Sequence, residues 1–323
     1  MSRLALLAAF ALFASLNGIA TASAQTYPQR AVKFILPFGA GSGTDITARL
    51  VADKLTARWG KPAVVENRPG GDGLVSINAF IAANDDHTLL WVPVGTFAVH
   101  PYERDKLPYD ADRDLLPIVN VTALFLAATV SPALNVGSLR ELVALVRANP
   151  GKFNWATANG NADFLMSGFL KSNGLEMSKV PYRDIVQAPN DLAENRIQLL
   201  SSSLAVVTPL MQAGKIKVLA TTGRRRAPSA PDIPTVREAG YPALEMESIG
   251  GIFGPRGMPL PVREQIAADV RAAIASDPSI ATKLQATGQV VDIRGPAEFA
   301  AGIKELRDQL GGIAKVLGMK AAQ

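Results

Sequence analysis

A glycine-rich stretch near the start of the chain holds the residues best suited to binding a ligand. A short apolar run at Val32 to Leu36 precedes it, and apolar residues recur at helical spacing after it. This order predicts a strand, a glycine turn and a helix N-terminus, where backbone N–H groups lack partners and carry the positive end of the helix dipole. Because glycines let an anion approach the backbone closely, the stretch is a candidate binding site for a carboxylate or phosphate. Its residues are Phe38, Gly39, Ala40, Gly41, Ser42, Gly43, Thr44 and Asp45.

The loop matches no nucleotide-binding motif. No Gly-Lys-Ser/Thr follows it, as a P-loop requires, and its alternating glycines do not fit the dinucleotide fingerprint. The alternative interpretation is a tight turn between a strand and a helix with no ligand. The loop alone does not decide between the two.

Residues that could support catalysis are sparse. The chain has two histidines, His87 and His100, and no cysteine, so disulfides and thiolate metal sites are excluded. Neither histidine has metal-ligand spacing, and both are interpreted as surface or structural residues. The acidic pairs at Asp85-Asp86 and Asp110 to Asp114 are interpreted as solvated turns, and no hydrolase nucleophile elbow is present. An anion site without a catalytic set favours a binding protein over an enzyme, with no metal or cofactor expected.

The first residues have the features of a secretory signal peptide. Arg3 provides a positive start, Leu4 to Leu16 is a short apolar run, and Ala22-Ser23-Ala24 fits a cleavage site. We therefore expect residues 1–24 to be removed and the chain to be exported; the alternative is an uncleaved anchor. Losing Arg3 from 33 basic residues leaves 32 against 28 acidic ones.

This basic excess is scattered, apart from the run Arg224-Arg225-Arg226. With few basic clusters and 6% aromatic residues, the chain is not expected to bind nucleic acid. The arginine run is interpreted as a solvated loop face, with contact to a membrane partner as the alternative.

Strand-like and helix-like segments alternate along most of the chain, which predicts an α/β fold with mainly parallel sheets. A capping box from Ser138 to Glu141 predicts a helix start, and Asn149-Pro150-Gly151 predicts its end. Further helices are predicted over Val262–Ser276, with Pro261 in the first turn, and over Ala297–Leu317, with a break at Gly311-Gly312. The predicted strands are Val32–Leu36, Ala63–Glu66, Thr88–Val92, Leu124–Val130, Phe153–Thr157, Lys179–Tyr182, Ile197–Ser201, Lys215–Thr221 and Ile249–Phe253.

Glycine-bearing strand ends occur in two separated parts of the chain. Two of them, the opening loop and Val65 to Gly73, precede residue 75, and a third lies at Ala156 to Asn161. Ligands of open α/β sheets sit outside the carboxyl ends of the strands. Two such sets of loops predict two lobes that face one cleft.

Several ordered segments resemble the Bug-type receptors, the periplasmic solute-binding components of tripartite tricarboxylate transporters. The resemblance covers essentially the whole mature chain, and its most specific segments are Glu66 to Gly70 and Pro231 to Gly240. The other segments that carry it are Tyr27-Pro28, Pro37-Phe38, Gly41 to Asp45, Val180 to Tyr182 and Ala213 to Lys215.

The resemblance implies a two-lobed, periplasmic-binding-protein-like fold of type II that closes on a ligand. The first lobe is expected to hold residues 26–123 and 223–323, and the second residues 124–222. The family implies a small carboxylate as ligand: a di- or tricarboxylate, an acidic amino acid or an aromatic acid. It also implies delivery of this ligand to a membrane permease or, alternatively, a sensor that signals to a membrane kinase. The chain is expected to be a monomer.

The resemblance also implies the ligand-binding residues. The family's first carboxylate loop falls on residues 38–45, where Gly39 and Ala40 replace two common prolines. The loop after the third strand falls on residues 94–98, including Gly95, Thr96 and Phe97. In the second lobe the matching residues are Thr157, Asn159, Asn161, Asp163, Tyr182, Asp184 and Ser202, where the family's usual histidine and aspartate are absent.

Some of these assignments have structural alternatives. Asp45 and Asp184 could cap the helices that follow them rather than contact ligand. Tyr182 could end a strand, and Asn67, Arg68 and Gly70 to Gly73 are expected mainly to build a turn. The working hypothesis is that one ligand carboxylate is bound by the backbone N–H groups of Gly41 to Thr44. The competing class is an exported hydrolase, which would show turnover of esters or amides.

Overall fold

The computed structural model describes residues 27–158, 160–182, 185–286 and 288–322, which form two β-sheets flanked by helices. The first sheet has six strands in the order β11-β4-β10-β3-β1-β2, and the second has five in the order β7-β6-β8-β5-β9. The strands are β1 Val32–Leu36, β2 Ala63–Asn67, β3 Thr88–Pro93, β4 Leu116–Leu124, β5 Leu126–Val130, β6 Phe153–Thr157, β7 Met177–Lys179, β8 Leu199–Ser203, β9 Lys217–Thr221, β10 Ser248–Gly254 and β11 Gln289–Arg294.

Helices cover the outer faces of both sheets. Short 3-10 turns lie at Gly71–Gly73, Pro132–Leu134, Ile185–Gln187 and Pro242–Leu244. The α-helices are α1 Gly43–Trp59, α2 Leu74–Ala83, α3 Val94–Ala98, α4 His100–Glu103, α5 Ala111–Asp114, α6 Leu139–Ala148, α7 Asn161–Ser172, α8 Ala188–Ala193, α9 Leu204–Gln212, α10 Leu260–Ala275, α11 Ser279–Ala286 and α12 Pro296–Leu317. Within the described ranges, no helix combines the length and apolar character needed to cross a membrane.

Both sheets are mixed, so the prediction of mainly parallel sheets was wrong in this detail. Strand β1 runs parallel to β2 and β3, while β10 is antiparallel to β3 and β4, and β11 is antiparallel to β4. In the second sheet β6 is parallel to β7 and β8, but β5 is antiparallel to β8 and β9. A helical crossover keeps neighbouring strands parallel. Strands β5 and β10 instead follow strands of the other sheet, with no helical crossover within their own sheet.

The connection between the sheets is short. Strand β4 ends at Leu124 and β5 begins at Leu126, so the single residue Phe125 joins them. The returning chain lies alongside: the N–H of Thr222 donates to the carbonyl of Leu126 at 3.0 Å. A Cβ on Gly223 would lie 2.5 Å from the Phe125 ring, so only glycine permits this approach.

The predicted strand Leu124–Val130 is therefore two strands in different sheets. Most of β4, and all of β11, had no strand prediction, because Pro117 interrupts the apolar pattern of the first and the second is a polar edge strand. The strand predicted at Lys179–Tyr182 lies instead at Met177–Lys179.

Helix signals in the sequence were more accurate. Ser138 Oγ accepts from Glu141 N at 3.2 Å, and α6 ends at Ala148, so both predicted boundaries are confirmed. Pro261 lies in the first turn of α10, as predicted. The break predicted at Gly311-Gly312 was wrong, since α12 is continuous from Pro296 to Leu317.

Helix α12 packs on both halves of the molecule. Leu306 and Leu310 are buried beside the first sheet, and Gly168 of α7 lies so close that its Cβ would meet Ile313 Cγ2 at 2.6 Å. One apolar core accordingly contains residues of both sheets. A second core lies beneath α1, α10 and α11 on the first sheet.

Candidate ligand-binding cleft

A cleft of about 1090 Å³ opens between the two sheets. Its walls come from both lobes, at the ends of strands and the starts of helices, where the sequence predicted ligand contacts. Eight of the predicted residues line it: Phe38, Ser42, Gly43, Thr44, Gly95, Thr96, Asn161 and Asp163.

The glycine loop is held by its own acidic residue. The Asp45 carboxylate accepts the backbone N–H of Gly41 at 2.9 Å, and the Ser42 hydroxyl accepts the N–H of Asp45 at 3.2 Å. Arg49 Nε and Asn67 Nδ2 also donate to this carboxylate, at 3.1 and 2.8 Å. Ser42 thus caps α1, and Asp45 stabilises the glycine loop that precedes it.

These contacts set the charge state of Asp45, which is 2% exposed. Burial alone would raise the pKa of the carboxyl, but the hydrogen bonds from Arg49, Gly41 and Asn67 outweigh it and hold the pKa below its ordinary value. The carboxylate is therefore ionised and fully engaged within the protein.

The hydrogen bonds within the loop reduce the number of backbone amides that are free to bind an anion. The N–H of Gly41 binds Asp45, and the N–H of Ser42 approaches the carbonyl of Gly39 at 3.3 Å. The N–H groups of Gly43 and Thr44, the first two residues of α1, have no acceptor among the described residues. The hypothesis that all four amides from Gly41 to Thr44 face the ligand was wrong, because two of them are used inside the loop.

Several other predicted residues lie away from the cavity. Gly39, Ala40 and Gly41 shape the loop without lining the cleft. Phe97 is 2% exposed and packs edge-on against Phe253, at 5.4 Å between ring centroids. These residues shape or pack beneath the elements that line the cleft, without lining it themselves.

The second-lobe predictions divide in the same way. Thr157 Oγ1 donates to the carbonyl of Ala158, and Ser202 is fully buried. The Tyr182 hydroxyl donates to Asp191 at 2.5 Å, and neither Tyr182, Thr157 nor Ser202 lines the cavity. Asn159 and Asp184 lie outside the described residues.

Asn161 connects the two lobes at the cleft. Its Nδ2 donates to Ser248 Oγ on β10 at 2.8 Å. A Cβ on Gly95 would lie 2.8 Å from Asn161 Cγ, so the missing side chain at Gly95 lets the N-terminus of α7 reach the first lobe. Gly95 and Asn161, predicted from separate loops, are thus in direct contact.

The turn at Gly71–Gly73 forms one wall, and a histidine holds it. The His100 ring is fully buried; Nε2 donates to the carbonyl of Asp72 at 3.0 Å, and Nδ1 accepts from the Tyr109 hydroxyl at 2.8 Å. Burial lowers the pKa of His100, which keeps the ring neutral. His100 is therefore a structural residue.

Charged groups line the rim of the cleft. Asp72, Glu103 and Asp163 provide three carboxylates, and Arg104 provides the one cation of the described lining. Arg104 contacts Asp72 at 3.1 Å, and Asp163 contacts Lys179 at 2.5 Å. Desolvation in the cleft, together with Asp72 and Asp163, raises the pKa of Glu103. No pattern in the sequence predicted Glu103 and Arg104, which lie at the end of the short helix α4.

A group of Asp85, Asp86 and His87 lies close enough to resemble a metal site. The histidine Nδ1 is 2.6 Å from Asp86, and Nε2 accepts from the N–H of Gln29 at 3.1 Å. Both ring nitrogens thus have partners within the protein, and Nε2 holds the segment before β1, so the group is interpreted as structural.

The arginine run also has internal partners. Arg224 forms ion pairs with Glu247 and with Glu305 of α12, and Arg226 pairs with Glu238. Two of the three arginines therefore help to fix the return of the chain to the first sheet. The choice between a solvated face and a partner contact concerns Arg225 alone.

Comparison with known sequences gives one consistent family. A model described as the tripartite tricarboxylate transporter family receptor matches residues 47–315. A protein of Pseudomonas sp. (strain P51), named only as UPF0065, is 30% identical over 292 residues, covering 89% of this chain and 86% of that protein. Protein BugT of Bordetella pertussis is 30% identical over 262 residues, covering 80% of each chain.

Solved structures give the same result. One described as a periplasmic transporter has a TM-score of 0.77 at 30% identity, covering 91% of this chain and 99% of that one. MatC from Rhodopseudomonas palustris with bound malate has a TM-score of 0.73 at 26% identity, covering 89% and 99%. Rpa4515 from R. palustris with adipate has a TM-score of 0.75 at 27% identity, covering 91% and 99%.

Proposed function

This chain belongs to the tripartite tricarboxylate transporter receptor family, and we propose that it captures a small carboxylate in its cleft and delivers it to a membrane permease. The family is one of solute-binding receptors rather than enzymes, and its members are periplasmic binding proteins. The Bug-type resemblance and the two-lobed α/β fold are confirmed. Export through a signal peptide at residues 1–24, and a monomeric state, are part of the proposal.

One observation carries the choice of ligand. Gly43 and Thr44 are the first two residues of a 17-residue helix and line the cleft, and their N–H groups have no acceptor among the described residues. Such amides favour an anion, through both hydrogen bonding and the helix dipole. Related proteins of known structure hold malate and adipate, which supports a carboxylate here.

The energies are sufficient for a transport receptor. A hydrogen bond to a charged group contributes about 1.5–3 kcal/mol. A micromolar dissociation constant corresponds to about 8 kcal/mol. Two such bonds, together with apolar contacts made on closure, reach this range without a cation against the carboxylate.

The division into lobes belongs to the same proposal. We assign residues 26–123 and 223–323 to one lobe and residues 124–222 to the other. In support, the first sheet takes its strands from residues 32–124 and 248–294, and the second from residues 126–221. Closure would bring the α7 end of the second lobe over a carboxylate held at α1.

The direct test removes one amide without disturbing the helix. Gly43→Pro deletes the N–H of the first helical residue, where proline is well tolerated. Ser42 already has the extended conformation that a following proline requires, with φ −67° and ψ 157°. We expect Gly43→Pro to raise the Kd of a carboxylate at least tenfold, measured by calorimetry on the mature chain.

The matched control is Gly43→Ala, which keeps the amide. A carboxylate that binds the two variants equally would refute the amide site. A panel of malate, adipate, glutamate and benzoate that gave no thermal shift would refute the carboxylate receptor itself, because bound ligand must stabilise the folded state. Delivery to a permease predicts that loss of this receptor abolishes uptake of the same ligand by intact cells.

A further inference from the structure

Two polar side chains at the floor of the cleft lack hydrogen-bond partners among the described residues. We define the floor as the lining residues contributed by strands. Trp91 on β3 is 1% exposed, Thr122 on β4 is 7% exposed, and both line the cavity. The indole N–H and the hydroxyl have no partner within the described ranges, yet neither atom is fully enclosed by protein. We infer that both can be reached from the cavity.

Unpaired polar groups in such buried residues are uncommon, because leaving them unsatisfied is costly. A ligand atom would satisfy both. The indole can only donate a hydrogen bond, whereas the threonine hydroxyl can donate and accept. The floor therefore matches an oxygen atom of a ligand better than a methyl group.

A glycine opens the floor at this point. Gly250 on β10 lies between Pro93 on β3 and Thr122 on β4 in the sheet register. Gly250 lines the cavity together with Trp91 and Thr122, and an added Cβ would come within 3.2 Å of Pro93 Cα. Phe34 packs edge-on against Trp91, at 5.6 Å between ring centroids, which fixes the indole in place.

The floor carries no charge within the described residues. The strand residues that line the cavity are Trp91, Pro93, Thr122, Leu124, Leu126, Ser203, Ser248, Ile249, Gly250 and Gln289. The charged lining residues, Asp72, Glu103, Arg104 and Asp163, lie in the turn and helices around the rim. A buried ionised group needs an opposite charge or several hydrogen bonds, so two neutral groups suit a neutral oxygen.

We propose that the ligand is a carboxylic acid with a second, neutral oxygen, as a hydroxyl, carbonyl or amide, and that Trp91 and Thr122 bind this oxygen. This inference rests on the proposed function, in which the carboxylate itself lies at Gly43 and Thr44. An alkanoic acid leaves both floor groups unpaired. A dicarboxylate places a second charge where no described cation meets it.

The test uses ligands that differ only at the far end. Butanoate, hexanoate and octanoate are titrated by calorimetry beside their ω-hydroxy counterparts and the dicarboxylates of the same lengths. At the best length, we expect the hydroxy acid to bind about tenfold or more tightly than the alkanoate, as one hydrogen-bonded oxygen allows. The dicarboxylate should bind more weakly than the hydroxy acid.

Two variants assign the preference to the floor. Trp91→Phe removes the indole N–H and keeps an aromatic ring, and Thr122→Val removes only the hydroxyl. Each should cost the hydroxy acid about fivefold or more in Kd while changing alkanoate binding by less than about twofold. If Trp91→Phe does not fold, Thr122→Val still decides the question.

Fluorescence gives an independent measurement. The chain has three tryptophans, and Trp155 does not line the cleft. Adding the hydroxy acid should change the emission of the wild type and of Trp155→Phe, but not that of Trp91→Phe.

The outcomes are distinct. Acids that bind with no preference for the hydroxy form, or a preference that survives both floor variants, would overturn this inference and leave the receptor function standing. If a dicarboxylate binds most tightly, the claim that the second ligand group is a neutral oxygen is refuted. Failure of every acid at every length would instead refute the proposed function.

Discussion

Asp45 and Gly41 form a closed pair: the carboxylate of one accepts the backbone N–H of the other at 2.9 Å, four residues back along the chain. A carboxylate of the protein thereby occupies the amide that sequence reasoning assigned to a ligand. The ligand is left with the next two amides of the same helix start, at Gly43 and Thr44.

This pair predicts an acid-sensitive loop. Because the folded-state pKa of Asp45 is held below its ordinary value, ionised Asp45 stabilises the fold above that value, and the contribution is lost as the pH falls through it. Wild type should therefore lose more stability than Asp45→Asn between about pH 5 and pH 3. Urea unfolding at several pH values measures this, with Asp53→Asn on the exposed face of α1 as control; equal losses in all three proteins would argue against the prediction.

The contact between Asn161 and Ser248 should favour the closed form. Asn161→Ala removes a hydrogen bond of 2.8 Å between the lobes. Such a bond contributes about 0.5–1.5 kcal/mol, so we expect ligand affinity to fall about two- to tenfold. Small-angle scattering should also show a larger radius of gyration without ligand.

A matched control for this experiment lies at the other end of the same helix. Asn173→Ala removes only a hydrogen bond to the carbonyl of Phe169. Ser248→Ala completes a double-mutant cycle with Asn161→Ala. Additive effects of the two changes would show that the contact does not couple the lobes.

The close approach of α7 to α12 predicts opposite effects of one substitution at two glycines. At Gly168 a new Cβ meets Ile313 at 2.6 Å, so Gly168→Ala should destabilise the protein by about 1–3 kcal/mol. At Gly312 nothing lies within 4 Å, so Gly312→Ala should stabilise α12 by about 0.5–1 kcal/mol. Urea midpoints measure both, and a stabilised Gly168→Ala would show that the helices can move apart freely.

Glu103 predicts a pH dependence of binding. Desolvation, Asp72 and Asp163 raise its pKa, against the opposing charges of Arg104 and Lys179. As the pH falls towards this raised pKa, protonation removes a negative charge from the rim, so an ionised acid should bind more tightly. Because this pKa lies above the ordinary glutamate value of about 4.5, we expect a two- to fivefold gain in affinity between about pH 7 and pH 5, the size of a partly screened interaction.

Glu103→Gln should bind more tightly at the higher pH and lose most of this dependence. Asp105→Asn, outside the cavity lining, is the control. A Glu103→Gln variant with the pH profile of the wild type would assign the effect to another group.

Local signals in the sequence predicted the parts of the fold that depend on neighbouring residues. The strand at Val32–Leu36, the capping box at Ser138 and the glycine loop before α1 were all visible as patterns of a few residues. The resemblance to a family then supplied the two lobes. Strands β4 and β11 were missed because Pro117 interrupts the apolar pattern of the first and the second is a polar edge strand.

The site shows the same division. Gly43 and Thr44 could be found because they belong to a glycine loop after a strand, and Gly95 could be found through the family resemblance. Trp91 and Thr122 could not, since Trp91 lies in a strand with the apolar pattern of a core strand, and Thr122 lies in the part of β4 that was not predicted. In the folded protein both line the cleft, on the two strands that flank Gly250 of β10. Their place beside Gly250, a residue without a side chain on β10, could be recognised only from the tertiary structure.

The single residue between β4 and β5 also limits how the protein can move. Phe125 packs against Gly223, and the returning segment is hydrogen-bonded beside it. We therefore expect the two lobes to rotate about this connection but not to slide past each other. The lobes should then open by a hinge rotation about Phe125. Solutes of different width should be accommodated by the angle between the two lobes. The fixed distance from the hinge at Phe125 to α1 should set one preferred length of solute.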